Sequence, residues 1–416
     1  IHDINAKKYF TFDTETTGLD SLVAEIVGLS ICIKEKEAFY MPISEDREEA
    51  IKQLGIFKEL FEDEEIEKIA QNIKYDKHIL LRYGIEVKGK QFDTMLAHYL
   101  LEPDMRHNMD SMAKNYLNYE PVSITTLIGK KGKNQLSFKQ VAIEKQVEYA
   151  AEDADITFQL SKIFRALCKE NEVEELMQTI EIPLVNVLTD MEEEGINIDV
   201  DFLNDYEVTL SKELEIQEAK IYELSGVRFN LSSPKQLGEV LFDKMEIPYK
   251  GKKTKTGQYS TGEDKLQTLK KDNPIVAYIL EFRQISKLLS TYVSAIPKLI
   301  NSNTGRLHTT FSQAVAATGR LSSVNPNIQN IPIRTERGRK VREAFIPRSE
   351  EYTLLAADYS QIELRLIAEM SKDKVMLEAF NNGEDIHTLT ASKVFKVDLE
   401  DVTREMRNKA KMVNFG

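Results

Sequence analysis

The sequence predicts a multidomain chain of α/β and α+β character, and three observations carry that expectation. At 416 residues the chain is too long for one hydrophobic core and divides by length into two to four domains. Residues 1–170 alternate short apolar runs with stretches of helical spacing, whereas the following residues to about 224 read as long helices with Glu-rich faces. Two separate stretches, residues 10–19 and 353–365, each bring an apolar run to an end on a carboxylate.

In residues 10–19, Phe-Thr-Phe-Asp-Thr-Glu-Thr-Thr-Gly-Leu, apolar residues alternate into two acids before Gly18 breaks the pattern. Residues two apart on a strand share a face, so Asp13 and Glu15 point together above the sheet end. Two like charges held that close repel unless a cation lies between them, and hard oxygen ligands suit Mg²⁺ or Mn²⁺ rather than zinc. The apolar runs 26–33 and 38–43 are close enough in sequence to pair with this strand as an antiparallel meander. Residues 47–61 have helical spacing, a short strand follows at Ile69 and Ala70, and a helix is expected over 75–83. Asn72-Ile73-Lys74-Tyr75-Asp76 supplies a third carboxylate where the chain enters that helix. Asp93 is read as a helix cap, with a supporting role behind the metal ligands as the alternative. Tyr149-Ala150-Ala151-Glu152-Asp153 supplies a fourth carboxylate on a helix, with Tyr149 one turn earlier on the same face. Four carboxylates from three segments fit a two-metal site, in which cations roughly 3.5–4 Å apart clamp the attacking and leaving oxygens of a phosphodiester. Tyr149 is placed to hold the attacking water.

Further along, the helical pattern breaks at residues 191–198, where a Gly marks a turn between two helices, and Ser232-Ser233-Pro234 opens another helix. Residues 250–262 are expected to be too polar and Gly-rich to pack, a mobile loop whose Lys252, Lys253 and Lys255 suit a sugar-phosphate backbone. Thr318-Gly319-Arg320-Leu321-Ser322-Ser323 and then residues 325–332 are too rich in Asn, Gln, Ser and Pro for a buried helix or central strand. They offer hydrogen-bond donors suited to minor-groove acceptors, and Arg334, Arg337, Arg339, Lys340 and Arg342 add phosphate contacts. An apolar strand over 353–357 is expected to deliver Asp358 as a metal ligand, with a helix immediately after it. Arg407, Lys411 and Phe415 recur at i, i+4 and i+8 on one helix face, two cations and an aromatic that suit a triphosphate and its base.

Composition narrows the field. A net charge of −13 argues against a protein that coats nucleic acid nonspecifically. Between residues 227 and 345, however, 20 Lys and Arg face 9 Asp and Glu, so the middle of the chain can grip a phosphate backbone locally. The loop 129–134, with three Lys and two Gly, is a second basic segment expected to touch DNA. No apolar run approaches the roughly 18 residues needed to span a bilayer, and Ile1 does not open a signal peptide. A cytoplasmic, nucleoid location is therefore expected; an organelle form without its targeting segment would have the same sequence. Cys32 and Cys168 offer neither a CxxC pair nor a disulfide framework and are expected in the core.

The set DTET, N-x-x-x-D and Y-x-x-x-D, in this order, resembles the three motifs of DnaQ-like 3'-5' exonucleases, whose fold is similar to ribonuclease H. That resemblance implies that Asp13, Glu15, Asp76 and Asp153 are metal ligands, that Tyr149 orients the water, and that Leu19 and Asn72 touch the substrate strand. TGRLSS-x-NPN-x-QNIP and DYSQIELR resemble the family A DNA polymerases, and the combined resemblance covers essentially the whole chain. It implies an exonuclease domain over 1–170, linking helices and a thumb over 171–300, part of a palm over 301–372 and part of the fingers over 373–416. Arg320, Asn327 and Gln329 would contact the primer-template, Asp358 would bind palm metal, and Glu363 would exclude ribonucleotides. His387, Arg407, Lys411 and Phe415 would bind the incoming deoxynucleoside triphosphate. The implied cofactors are two Mg²⁺ or Mn²⁺ ions per active site, and the implied state is a monomer. Against the family pattern, the chain begins at the exonuclease motif without a 5' nuclease domain. It stops inside the fingers helix, before the second palm carboxylate, so a complete exonuclease site and an incomplete polymerase site are expected. The competing expectations are an exonuclease whose C-terminal half only holds DNA, and a noncatalytic DNA-binding protein.

Overall fold

The computed structural model describes residues 1–415 except Lys250, with the side chain of Phe415 also outside the described part. The chain forms two compact units, Ile1–Glu350 and Glu351–Gly416. Among the described residues no helix is long and apolar enough to cross a membrane.

The first unit is built on a five-stranded sheet of order β3-β2-β1-β4-β5, with β1 (Tyr9–Thr16), β2 (Ile26–Lys34), β3 (Glu37–Pro42), β4 (Glu67–Ala70) and β5 (Gln91–Asp93). The expected meander forms: β1 pairs antiparallel with β2, and β2 with β3. On its other side β1 runs parallel to β4, and β4 to β5. Phe10 and Phe12 point to one face, where both rings meet Phe61 edge-on at 5.2 and 4.9 Å. The opposite face lies under the long helix Ile143–Glu170, whose Phe158 stacks on Tyr9 and whose Ala154 packs with Phe158 and Cys32. Tyr9, Asp13 and Glu15 are two or four residues apart, so the period of a strand turns both acids toward that helix. Small Ala150 and Ala154, fully buried, let the helix approach closely. Cys32 and Cys168 are both buried with free thiols, as their apolar surroundings led one to expect.

Local chemistry explains most helix ends. Residues 47–61 form two helices, Arg47–Gly55 and Lys58–Glu62, instead of one; Asp46 caps the first by accepting from Glu49 N–H. The helix expected over 75–83 begins earlier, as Ile73–Arg82, because Asn72 at φ 62° turns the chain directly from strand to helix. The Gly195 break lies where expected, between helices Ile182–Glu194 and Val200–Ser225. Ser233 caps the helix that Pro234 begins. Beyond this, β6 (Asn197–Ile198) pairs with β9 (Phe345–Ile346), and β7 (Thr310–Ser312) forms a hairpin with β8 (Ser322–Val324).

Two helical cores complete this unit, one including Leu203, Leu210, Val293 and Val341, the other Ile221, Leu241, Val276 and Ile279. The segment following Lys250 departs from expectation, for it does pack. Tyr259 lies 4.9 and 5.0 Å from the rings of Phe242 and Tyr249, Thr261 is buried, and Thr254 and Gln258 close a turn. Aromatic side chains at the ends of the loop supply the apolar area that its middle lacks. Lys252, Lys253 and Lys255 remain exposed, Lys253 lying over the Tyr259 ring; Lys250 lies outside the described residues. Arg337 also departs from its expected phosphate role, being held in ion pairs with Glu213 and Glu281 at 2.7 and 2.5 Å.

In the second unit, helices Ile362–Ser371, Lys374–Asn381, Ile386–Phe395 and Arg404–Phe415 surround a small core of Leu364, Ala379 and Ile386. The strand expected over 353–357 does not form. A strand needs a ladder partner for its N–H and C=O groups, and no described residue of this unit provides one. Leu354 and Leu355 are consequently exposed.

One polar cluster ties the sheet to the hairpin. Glu192 accepts from Lys74 Nζ, from His78 Nε2 at 2.8 Å and from Phe311 N–H at 2.6 Å, while His78 Nδ1 faces Glu193 at 2.5 Å. Burial would lower the His78 pKa, but carboxylates at both ring nitrogens raise it and favour the doubly protonated ring. Truncating Glu192 leaves the buried Lys74 ammonium without its anion and His78 Nε2 without its partner, while Glu193 still faces Nδ1. Glu192→Ala should therefore cost about 3–5 kcal/mol of stability in chemical denaturation, several times an ordinary surface change.

Candidate active site

The register of β1 against β2 places Asp13 opposite Ser30 and Glu15 opposite Gly28. Gly28 is required there, since an added Cβ would come within 2.1–2.2 Å of the Tyr40 ring that lies across it. From the helix above, Asp153 completes a group in which carboxylate oxygens of Asp13, Glu15 and Asp153 all lie within 4.8 Å of one another. Tyr149, one turn earlier on the same helix, stands close enough to Asp153 to lower its carboxyl against the effect of burial. These four side chains are brought together as the sequence motifs led one to expect.

Asp76 is beside this group but faces differently. β4 ends at Ala70, so the β1 edge is open at Thr14, and Asp76 Oδ1 accepts from Thr14 N–H at 3.1 Å and from Thr14 Oγ1 at 2.5 Å. Thr14 was not singled out from the sequence, although its place between the two acids of DTET put it at the only position able to reach a group at the strand edge.

The four acids repel one another strongly. Burial raises the Asp13 carboxyl to about 6. Burial, then the charges of Asp13, Asp153 and Asp76, push Glu15 well above the usual carboxylate range. Asp76 and Asp153 are raised in the same way, by burial and then by Asp13, with Thr14 and Tyr149 partly opposing. Glu15 Oε1 is buried without a hydrogen-bond partner. An orphaned oxygen among converging carboxylates fits a divalent cation, since hard oxygen donors are what Mg²⁺ and Mn²⁺ take.

Around this centre the fold fixes the approach. Leu19 is 93% exposed, at the end of a loop held by Tyr75, whose hydroxyl donates to Gly18 O at 2.6 Å and lies 2.5 Å from Thr16 Oγ1. Asn72 sits in the left-handed turn at the start of helix Ile73–Arg82. Asp93 is the cap that the sequence suggested, accepting from Met95 and Leu96 N–H, and it also accepts from Asn72 and Ile73 N–H. One buried carboxylate thus starts two helices, and the second of them carries Asp76.

The remaining sequence-predicted residues are dispersed. Arg320 and Asn327 are exposed, and the Gln329 amide closes the nearby chain, accepting from Ser323 N–H at 3.0 Å and donating to Leu321 O at 3.2 Å. In the second unit Asp358 and Glu363 are exposed and His387 is buried, with Nδ1 2.9 Å from Asn414 Nδ2. Arg407 pairs with both carboxylate oxygens of Asp385, and Lys411 is exposed on the same helix. The side chain of Phe415 lies outside the described residues.

Comparison with known proteins agrees with this division. Residues 1–169 match the 3'-5' exonuclease family, and residues 200–416 match DNA polymerase family A. The chain is 44% identical over 419 residues to DNA polymerase I of Pseudomonas aeruginosa, covering 97% of this chain and 45% of that protein. It is 41% identical to DNA polymerase I of Borreliella burgdorferi, covering all of this chain and again 45% of the relative. It therefore spans under half the length of these curated relatives. Among solved structures, the POL domain of Pol1 from M. smegmatis, in complex with DNA primer-template and dNTP, superposes with a TM-score of 0.81 at 33% identity, covering 98% of this chain and 67% of that one. An exonuclease sheet with its converging acids, followed by a polymerase-type half, is thus accounted for along nearly its whole length: the chain belongs to DNA polymerase family A.

Proposed function

We propose that this chain removes 3'-terminal nucleotides from single-stranded DNA ends by metal-dependent hydrolysis, as the proofreading part of a DNA polymerase I. Its C-terminal half belongs to templated addition of deoxynucleoside triphosphates to a primer-template, in replication and repair. The observation that carries this reading is the convergence of Asp13, Glu15 and Asp153, with Asp76 beside them and Glu15 Oε1 left unpartnered. Those four residues would hold two Mg²⁺ or Mn²⁺ ions. Such ions, when bound, lower the pKa of water and neutralise charge on the scissile phosphate. Tyr149 orients the attacking water, and Thr14 holds Asp76 at the strand edge. Leu19 packs against the terminal base, and Asn72, in its fixed turn, meets the strand.

In the polymerase half, Lys252, Lys253 and Lys255 hold backbone phosphates, and Arg320, Asn327 and Gln329 follow the duplex. Asp358 is a palm metal ligand and Glu363 crowds the ribose 2' position. His387, Arg407, Lys411 and Phe415 serve the incoming nucleotide. The domains of this reading are 1–170, 171–300, 301–372 and 373–416, in a monomer acting at the nucleoid. A second reading, an exonuclease whose C-terminal half only holds DNA, is favoured by the failure of residues 353–357 to form the strand that would deliver Asp358.

A 5'-labelled primer on a template, with Mg²⁺ and with or without the four deoxynucleotides, separates the two. Shortening without nucleotides is expected in both cases; extension on their addition supports templated synthesis, and continued shortening supports the second reading. Asp13→Ala and Asp76→Ala should each slow shortening by at least about a hundredfold while DNA stays bound, because removing a ligand costs more than removing its support. Unchanged shortening would overturn the metal assignment.

The raised carboxyls have a consequence for stability. A group whose folded pKa is raised holds its proton more tightly when folded, so its contribution is greatest below the unfolded value near 4. It declines as pH rises toward and through about 6, the Asp13 value. Metal binding displaces those protons and opposes the decline. The melting temperature of metal-free protein should fall between pH 5 and pH 7 relative to Asp13→Asn. Mn²⁺ should raise it more at pH 7.5 than at pH 5, by several degrees, and should do neither in Asp13→Ala.

A further inference from the structure

The β7–β8 hairpin carries Thr318–Leu321 on its connecting loop and Ser322 and Ser323 on β8, and the exonuclease part together with the linking helices grips that hairpin at three places. Phe311 bonds through its N–H to Glu192 and through its C=O to Lys74. Gln313, buried, donates to Glu181 O at 3.0 Å and to Glu181 Oε2 at 2.6 Å. Tyr99, on helix Thr94–Leu101 and only 4% exposed, donates its hydroxyl to Ala316 O at 2.7 Å and accepts from Gly319 N–H at 3.1 Å. Gly319 itself takes φ 77°, so the chain makes a tight turn against the Tyr99 hydroxyl and then presents Arg320 to solvent. On the far side of Arg320, the Gln329 amide fixes Leu321 and Ser323.

We propose that Tyr99 is a positioning residue for duplex binding: from within the exonuclease fold it presets the backbone turn that presents Arg320 to the minor groove of the duplex. This rests on the reading of Arg320 as a duplex contact. A turn already ordered before binding loses less conformational entropy on contact, and a fixed backbone is the part of that cost a remote hydroxyl can remove. The Tyr99 ring meets His107 and its hydroxyl bonds to the backbone of Ala316 and Gly319, none of them a metal-site acid, so the hydroxyl can be removed without deleting a contact of the hydrolytic centre. Without it, Ala316 O and Gly319 N–H lose a shared partner and the turn is freed. The same argument explains why a buried tyrosine rather than phenylalanine is used at this point of an otherwise apolar helix.

The test measures binding of a fluorescein-labelled primer-template duplex to the full chain, without divalent metal, at several salt concentrations. A guanidinium that displaces one counterion from the duplex contributes about 0.9 to the slope of log affinity against log salt. Arg320→Ala is expected to weaken binding several-fold and to reduce the slope by about one. Tyr99→Phe is expected to weaken binding about fivefold and to reduce the slope in the same direction, and the double variant to match Arg320→Ala alone. Degradation of single-stranded DNA by Tyr99→Phe should stay within about twofold of the parent, which also reports an intact fold. If that rate falls as well, Gly319→Ala carries the test, since it strains the same turn from the solvent side where nothing lies within 4 Å. Unchanged affinity in that variant would then overturn the proposal. Tyr99→Phe affinity equal to the parent, or a loss at unchanged slope that adds to Arg320→Ala, overturns it too. No effect of Arg320→Ala would instead remove the duplex-contact reading on which it stands.

Discussion

The mutual repulsion of Asp13, Glu15, Asp76 and Asp153 is the constraint that the first unit is built to withstand. Like charges withdrawn from water destabilise any fold that holds them, and burial alone pushes these carboxyls upward. They stay together because they come from three different rigid elements. Asp13 and Glu15 come from the central strand of the sheet, and Asp153 from a 28-residue helix packed across it. Asp76 comes from the first turn of a helix that follows a parallel neighbour strand. Relaxing any one of them would require a strand to slip or a helix to lift. Either movement exposes Phe10, Phe12 or Phe158, whose burial is worth about 2 kcal/mol each.

Local hydrogen bonds then set which acid faces where. β1 runs on to Thr16 whereas its ladder with β4 ends at Thr11, which leaves the Thr14 N–H at an open edge. Asp76 satisfies that donor and so turns partly away from the other three. Asp93 does the complementary job at the base of helix Ile73–Arg82, accepting from four backbone N–H groups. Burial raises its carboxyl to about 6 despite those donors, so even here the fold carries a group whose charge it must hold in place.

The parts legible in the sequence were those written in short range. DTET and Y-x-x-x-D place side chains on one face of one element, and the strand and helix periods then fix their direction whatever the rest of the chain does. The meander, the Gly195 break and the Ser233 cap were legible for the same reason. Thr14, Tyr99 and the cluster of Lys74, His78 and Glu192 were not, because their partners lie 62 to 237 residues away and nothing in local spacing pairs them. Lys74 and His78, one turn apart on one helix, are both buried. The error at 353–357 has the opposite cause: the local pattern is that of a strand, but a strand is a property of pairs. The loop after Lys250 erred by averaging composition across a segment in which one residue, Tyr259, supplies the packing.

Why the hairpin should be joined to the sheet through buried charge rather than apolar contact follows from directionality. An apolar contact between the 310–324 hairpin and the exonuclease helices would tolerate sliding by a fraction of a residue at little cost. Glu192 does not tolerate it, since its two oxygens are aimed at Lys74, His78 and Phe311 N–H, donors with fixed directions on two different elements. A shift of half a strand residue would leave Phe311 N–H and C=O without Glu192 and Lys74 and strip partners from a buried ion pair, a far larger cost than the pair gains in net stability. Gln313 on Glu181 and Tyr99 on Ala316 extend the same rule along the hairpin. The register of the hairpin against helix Ile73–Arg82 is therefore fixed, and that helix is the one that carries Asp76. A displacement of β7 at Phe311 therefore acts on the helix that carries Asp76, whereas the Tyr99 contact lies on the connecting loop and orders the turn there.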